Sequence, residues 1–401
     1  MKAKLIALCK SSKILYRIYF SVMSFFLSVI KLFVKPDDAL ILINSFGGKK
    51  FDDSPKAIYD HLITDVRFKH CKFVWAFHAP EQFDVPVGAK IKTDTMKYYI
   101  TALKARVWIS NSGIERGLRF KGKRTFYYNS WHGTPIKIMG NDVPSNSKSS
   151  KPLSLSVLID VFSAQSTYEA DKLSKAFGVP RDKYIITGLP RNDELAACGG
   201  DAIRQQKKQL LGIDPHKKVI LFAPTYREYT KNHWGECITA WPIDFDALKK
   251  ELSDQYVLIL RAHYESVQAV NEYVDNAFVY DFSSYPNLND LMLASDVLVS
   301  DYSSLIFDYS ILDRPIICFA YDYETYAQNR GMYFDIRQEL SDASESDTAL
   351  RSKIRELETA SGMDRNLALV KSFREKYVEA YGSACRQVAD LLACRITPFE
   401  K

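Results

Sequence analysis

The sequence predicts an α/β protein in which two doubly wound, Rossmann-like domains face a common cleft, with an amphipathic helix in front of them. Short apolar runs alternate with segments of helical spacing in two separate series, one after residue 36 and one after residue 216. Such alternation is typical of parallel sheets with crossover helices. A chain of 401 residues is long enough for two domains of this kind, each with its own core.

Residues 1–36 are predicted to form a basic helix that associates with a membrane. They contain seven Lys or Arg side chains and no acid, and their polar residues recur every three or four positions, on one helical face. The remaining residues are apolar, which is typical of helices in the headgroup region of an anionic leaflet. A buried core helix and a span over 14–34 are alternatives. Arg17 and Lys31 leave only thirteen uncharged residues between them, whereas a span needs roughly 20.

Charge and cysteine usage exclude other classes of protein. The whole chain carries a net charge of +6 and residues 1–36 carry +7, so the remainder is nearly neutral at −1. The body of the protein therefore lacks the basic surface of a nucleic-acid binder. The seven cysteines are scattered, without a Cys-x-x-Cys pair or metal-ligand spacing. We therefore expect reduced thiols and a peripheral location on the cytoplasmic face of the cell membrane.

The first domain, at 37–200, is predicted to contain several parallel strands. The runs ALILINS, KFVWAFH, ARVWIS and TFYYNS indicate strands, and PKAIYDHL and TDTMKYYITALK have helical spacing. The fourth run ends in Trp-His-Gly-Thr-Pro, where Gly and Pro stop the strand and present a histidine. The following segment, 141–154, is rich in Ser and Pro, and we expect a mobile loop suited to a lid.

The second domain, at 201–363, repeats the strand–helix alternation. Its predicted strands are KKVILFAPTYR, QYVLILRAHY, NAFVYDF, SDVLVSDYSS and RPIICFAYD, and its helices include FDALKKEL, NLNDLML and SLIFDYSIL. A long helix at about 364–393, within the C-terminal segment 364–401, is placed to cross back to the first domain. Two facing doubly wound domains of this kind indicate the GT-B architecture.

Polar side chains follow three strands of the second domain, where ligands of open α/β sheets bind. These residues are Pro224, Thr225, Arg227, Arg261, His263, Ser303 and Ser304. Arg261 and His263 are two positions apart, so a continued strand would direct both to one phosphate. Ser303 and Ser304 precede a helix, whose free amides favour an anion. Simple capping of that helix is the alternative for the two serines.

Three further charged sites are candidates for contacts with a ligand or a metal ion. Arg191, in GLPRND, is predicted to contact an anion across the cleft, with Asn192 or Asp193 capping the next helix. Asp308 is predicted to hydrogen-bond a ribose or acceptor hydroxyl, with a polar stripe on a packed helix as the alternative. The Asp-Phe-Asp at 244–246 resembles a metal signature but opens a helix, so we interpret it as a cap. An obligatory metal or other cofactor is not supported.

Several motifs together resemble the CDP-glycerol glycerophosphotransferase family, which includes teichoic acid primases and polymerases of bacterial cell walls. They are WHGTPIK, GLPRND, ILFAPTYRE, LRAHY and SDVLVSDYSSLIFDYSILDRPIICFAYDYETYAQNRGMYFD, and the early SFGGKKFDDSPKAIYDHL is similar too. The resemblance runs in order from about residue 40 to 335. It implies a GT-B fold and transfer of a polyol phosphate from a CDP-polyol donor to a lipid-linked or polymer-linked acceptor.

The resemblance also implies roles for individual residues. His132 and His263 match the family's two functional histidines. We expect His132 to act as general base, and His263, Arg261 and the helix start at Ser303 and Ser304 to hold the diphosphate while CMP leaves. The other positions expected at the donor site are Ser130, Trp131, Gly133, Thr134, Arg191, Pro224, Thr225, Arg227 and Asp308.

The resemblance leaves the substrates open. Glycerol and ribitol are both possible polyols, and the product is a teichoic acid or a capsular polymer. A GT-B glycosyltransferase that uses a nucleotide sugar is the rival enzyme. A non-catalytic membrane-bound partner of wall or capsule assembly is the rival outside the enzymes, although both histidines are present.

Overall fold

The apolar runs of the first half form a parallel sheet that is covered on both faces. The computed structural model describes residues 13–144, 158–225, 227, 242–262, 273–340 and 343–396. Among them, the first sheet has the order β3-β2-β1-β4-β5-β6-β7. Its strands are β1 (Asp37–Asn44), β2 (Lys72–Phe77), β3 (Ala89–Lys92), β4 (Ala105–Ser110), β5 (Phe126–Asn129), β6 (Val161–Ala164) and β7 (Tyr184–Ile186). The accompanying helices are α1 (Lys13–Ile30), α2 (Asp53–Thr64), α3 (Met96–Lys104) and α4 (Thr167–Phe177).

A second parallel sheet of the order β10-β9-β8-β11-β12 is built by the second series. Its strands are β8 (Lys218–Ala223), β9 (Tyr256–Leu260), β10 (Val279–Asp281), β11 (Val297–Ser300) and β12 (Ile316–Cys318). The helices of this half are α5 (Asp193–Cys198), α6 (Asp201–Leu210), α7 (Phe245–Leu252), α8 (Leu288–Ala294), α9 (Leu305–Ser310), α10 (Tyr323–Arg330), α11 (Ile336–Glu339) and α12 (Asp347–Glu356). The strand order of each sheet switches direction next to its first strand, between β1 and β4 in the first sheet and between β8 and β11 in the second. Ligands of open α/β sheets bind in the crevice at such a switch point.

The C-terminal segment forms two helices where the sequence predicts one. They are α13 (Ala360–Tyr377) and α14 (Ala384–Ala393). In the linker between them, Gly382 has a φ of +81°, and the amides of Glu379 and Ala380 donate to the carbonyl of Gln165. The break turns the chain, because α13 packs on the second domain and α14 packs on α2 of the first.

Helix α1 packs one side against the first domain and leaves the other side open. Leu27 is fully buried, and Phe20 lies so close to Gly117 that a Cβ there would be 2.7 Å from its ring. The amide of Arg119 donates to Ser24 Oγ at 3.0 Å. Ser24 belongs to the polar stripe that the spacing predicts, and the structure turns this part of the stripe toward the first domain. The opposite side, which we call the exposed face of α1, carries the apolar residues Leu15, Ile18, Tyr19, Val22, Phe25, Phe26 and Val29.

Of the helices that the structure describes, none combines the length and apolar character that a membrane span requires.

Candidate active site

A cleft lies between the two domains and is lined by residues that follow the carboxyl ends of strands in both sheets. It contains two adjoining pockets of about 990 and 1270 Å³. The residues that line both pockets include Lys50, Asp52, His132, Arg261, Ser303 and Ser304. Pro224 also lines both pockets, so the structure brings the predicted histidine turn together with all three predicted polar strand ends of the second domain.

His132 is held so that one ring nitrogen faces a backbone carbonyl. Its Nδ1 lies 2.9 Å from the carbonyl oxygen of Asn111, and the ring stacks on Trp131 at 3.8 Å between centroids. A proton on Nδ1 donates to that carbonyl, which leaves Nε2 as the acceptor nitrogen. Burial lowers the pKa of His132 below its ordinary value, an effect that the Asn111 hydrogen bond and the charge of Asp53 partly oppose. A neutral imidazole with Nε2 unprotonated can accept a proton at neutral pH.

The turn around His132 has an unusual backbone that brings it to the second domain. Trp131 has a φ of +52°, which is strained for a large side chain, and its amide is held by Asn129 Oδ1 at 2.8 Å. Gly133 has a φ of +156°, and a Cβ there would lie 2.5 Å from Ser304 Oγ. Glycine is therefore required for the turn to meet Ser304 across the cleft.

Two predicted ligand residues of this turn support the backbone instead. Ser130 is fully buried and its hydroxyl donates to the carbonyl of Trp131. Thr134 is buried and its hydroxyl oxygen accepts a hydrogen bond from Gln165 Nε2 at 2.5 Å. We therefore assign Ser130 and Thr134 to holding the turn, although Thr134 also borders one pocket.

A buried glutamate lies behind the turn, and sequence reasoning did not find it. Glu169 is fully buried, and its Oε2 accepts from the amide of Gln165 at 2.7 Å. Burial raises the pKa of Glu169 to about 7. The start of α4, Ser-Thr-Tyr-Glu at 166–169, matches a capping box. This pattern predicts that Glu169 caps the helix, but it does not predict that the side chain is buried.

The structure gives Arg191 partners that differ from the anion predicted. Its guanidinium pairs with Asp53 at 3.1 Å and Asp308 at 2.9 Å, and all three side chains are at most 11% exposed. Asp308 also accepts from Asn192 Nδ2 at 2.8 Å. Burial raises the pKa of Asp308, and the charge of Arg191 opposes this effect. Arg191 and Asp308 therefore join the two domains, and their charges are matched without a ligand.

Arg227 is likewise enclosed, contrary to the predicted nucleotide contact. The residue is 2% exposed and pairs with Asp301 and Asp322, each at 2.8 Å. Asp301 Oδ1 also accepts from the amide of Thr225 at 2.8 Å. The ion pairs of Arg227 thus fix the end of β8, where Pro224 and Thr225 border the cleft.

The remaining predictions have different outcomes. Arg261 lines both pockets, and its Nη1 donates to the carbonyl of Phe282 at 2.8 Å. His263 lies outside the described residues, as do residues 145–154 of the predicted lid. Asp244 caps α7, because its Oδ1 accepts from the amide of Ala247 at 2.9 Å. Among the described residues, no group of three or more His, Cys, Asp or Glu side chains is arranged to hold a metal ion.

Sequence reasoning missed the contribution of the loop after β1. Phe46, Lys50, Asp52 and Asp53 all line the cleft, and burial raises the pKa of Asp52. These residues lie beyond the carboxyl end of a parallel strand, so the rule applied to the second domain would have identified them. The Gly-Gly at 47–48 is the local signal, because glycine pairs commonly mark such turns.

Comparisons with known proteins agree on one family. The sequence profile of the family described as CDP-Glycerol:Poly(glycerophosphate) glycerophosphotransferase matches residues 25–393. The teichoic acid glycerol-phosphate transferase of Staphylococcus aureus is 35% identical over 339 residues, which cover 80% of this chain and 85% of that protein. The wall teichoic acid polymerase TagF superposes with a TM-score of 0.83 at 29% identity, covering 96% of this chain and 97% of the solved one. A TagF variant soaked with CDPG superposes equally well, at 28% identity over the same shares of the two chains.

Proposed function

The chain belongs to the CDP-glycerol:poly(glycerophosphate) glycerophosphotransferase family, and we propose that it transfers glycerol phosphate from CDP-glycerol to an acceptor in teichoic acid synthesis, releasing CMP. The motif resemblance and the GT-B-type α/β fold predicted from the sequence are confirmed. The observation that carries the proposal is the position of His132, whose Nε2 is the acceptor nitrogen in a cleft between two domains.

The residues of the cleft suit transfer of a phosphoryl group to an alcohol. The acceptor hydroxyl attacks the phosphorus that bears glycerol, and its proton passes to His132 Nε2. The bond from that phosphorus to the oxygen of CMP breaks, and CMP leaves with the bonding electron pair. Arg261 and the hydroxyls of Ser303 and Ser304 line the cleft on the donor side and offset the negative charge.

The acceptor is a glycerol-phosphate chain linked to a lipid or polymer at the membrane surface, and helix α1 binds the enzyme to the same surface. The exposed face of α1 supplies the apolar contact, since Phe25 is 72% and Val22 is 59% exposed. Arg17 and Lys35 are exposed near the two ends of this helix and favour an anionic leaflet. We infer a peripheral location on the cytoplasmic face, where the nucleotide donor is available.

CMP release distinguishes the possible donors. Purified protein is incubated with a short lipid-linked glycerol-phosphate acceptor and either CDP-glycerol or CDP-ribitol. We expect acceptor-dependent CMP from CDP-glycerol and at least tenfold less from CDP-ribitol. The reverse preference would assign a ribitol phosphotransferase, and binding of a UDP-sugar without CMP release from either donor would contradict the proposed reaction.

A further inference from the structure

We propose that Lys50 is a further catalytic residue, whose ammonium group contacts the transferring phosphoryl group from the first-domain wall of the cleft. The inference rests on the proposed function. It adds a positive charge to the first-domain wall of the cleft, which also carries the general base His132. The second-domain wall already carries Arg261, so the phosphoryl group would lie between two positive side chains.

The position of Lys50 is fixed by the same residue that holds His132. Lys50 Nζ lies 5.2 Å from the centroid of the Phe46 ring, and that ring lies 5.2 Å from the ring of His132. Asn111 Oδ1 accepts from the amide of Phe46 at 2.8 Å, while the carbonyl of Asn111 faces His132 Nδ1. Asn111 therefore positions both the general base His132 and the loop that carries the ammonium group of Lys50.

Lys50 also occupies the part of the cleft where the chemistry takes place. Like His132, Arg261 and Ser304, it lines both pockets. Its neighbour Lys49 borders just one of them. A group shared by both pockets is placed to contact the atom that passes from donor to acceptor.

Lys50 is not held in a close ion pair in the cleft, although its charge acts on the nearby carboxyl of Asp52. Arg191 is matched by Asp53 and Asp308, and Lys56 is matched by Asp60. Within the part of the chain that the structure describes, Lys50 forms no ion pair with a carboxylate. In the transition state of phosphoryl transfer, negative charge is spread over the equatorial oxygens, and a positioned cation stabilises it.

The same charge acts on the base. The positive charge of Lys50 lowers the pKa of His132, in addition to the larger effect of burial. Removal of this charge should therefore raise the pH at which His132 loses its proton. This shift would not result from a purely structural role for Lys50.

Three variants test the proposal, and each changes one exposed lysine. Lys50→Met removes the charge, Lys50→Arg retains it, and Lys69→Met removes an exposed charge of the first domain that lines neither pocket, as a matched control. We expect Lys50→Met to lower kcat for CMP release about 10²- to 10³-fold, and Lys50→Arg to recover activity to within about tenfold of wild type. Lys69→Met should retain kcat within about threefold. The acidic limb of kcat/KM should move to higher pH in Lys50→Met.

The outcomes separate this inference from the proposed function. If wild-type protein releases CMP and Lys50→Met raises KM with kcat unchanged, Lys50 contributes ground-state binding and the inference is wrong. Equal losses in Lys50→Met and Lys69→Met would show general attraction of anions by surface charge and would also overturn it. Failure of the wild-type protein to release CMP from CDP-glycerol would instead overturn the proposed function. Thermal melting of each variant excludes unfolding as the cause.

Discussion

At the scale of single residues, the two nitrogens of His132 acquire different roles from their surroundings. Nδ1 faces the carbonyl of Asn111, whereas the rest of the ring lies against Trp131 and borders the cleft. The motif places a histidine at a strand end, so the sequence suffices to nominate it. Its tautomer depends on Asn111, which lies 21 positions earlier and belongs to no recognised motif.

The pH dependence of transfer should report the environment of His132. Because burial lowers its pKa below the ordinary value of 6.5, the base is unprotonated at neutral pH. We expect kcat/KM to fall as the pH decreases through an apparent pKa below 6.5, and to be independent of this group at higher pH. The measurement is CMP release from pH 5 to 9 at subsaturating donor. An acidic limb centred above pH 7 would contradict the assignment.

Glu169 should make the protein less stable as the pH rises. Its folded-state pKa of about 7 is above the ordinary 4.5. The folded protein therefore retains a proton that the unfolded chain loses, and stability decreases between these values. We expect Glu169→Gln, which stays neutral, to be more stable than wild type by about 1–3 kcal/mol at pH 8 and nearly equal at pH 5. Urea denaturation at both pH values measures this, and a gain of equal size at both would disprove the titration.

At the scale of elements, strands were predictable where their residues are mostly apolar. The runs that became β1, β2, β4 and β5 are buried and rich in β-branched and aromatic residues. β3 was missed because AKIK has two lysines and lies at a sheet edge, next to β2 alone. The break between α13 and α14 was missed because it is where the chain passes from the second domain back to the first. Its position is set by hydrogen bonds to Gln165, which is distant in the sequence.

The exposed face of α1 should determine binding to membranes. A triple variant, Val22→Ser, Phe25→Ser and Val29→Ser, removes three large apolar side chains, each worth up to about 1.5–3 kcal/mol when fully buried. We expect at least tenfold weaker binding to anionic vesicles in a sedimentation assay.

A matched triple variant makes the same kind of change elsewhere on the surface. Val66, Val87 and Leu210 are 67%, 47% and 62% exposed, and their substitution by Ser should leave vesicle binding unchanged. Equal binding by both triple variants and wild type would show that α1 does not contact the membrane.

At the scale of the whole molecule, the cleft depends on contacts between residues far apart in the sequence. Arg191 joins Asp53, which starts α2 in the first domain, to Asp308 in α9 of the second. The sequence shows that all three are charged residues near strand or helix ends. It does not show that they meet, and so Arg191 was predicted to bind a ligand anion.

Loss of Arg191 should destabilise the arrangement of the two domains. Arg191→Met leaves two largely buried carboxylates without their cation, and such a break costs about 3–5 kcal/mol. Arg181→Met is the matched control, because the pair of Arg181 with Asp171 is 41% and 54% exposed and should contribute no more than about 1 kcal/mol. Urea denaturation compares the two variants. Equal stability of both would show that the Arg191 cluster does not hold the domains together.

The most direct test of the account compares wild-type protein with His132→Ala in acceptor-dependent release of CMP from CDP-glycerol. His61→Ala, which alters another histidine that lines the cleft, is the control. The account predicts a loss of about 10²- to 10⁴-fold in kcat for His132→Ala, with unchanged thermal stability and CDP-glycerol binding, and near wild-type activity for His61→Ala. Release of CMP by His132→Ala at the wild-type rate would contradict it.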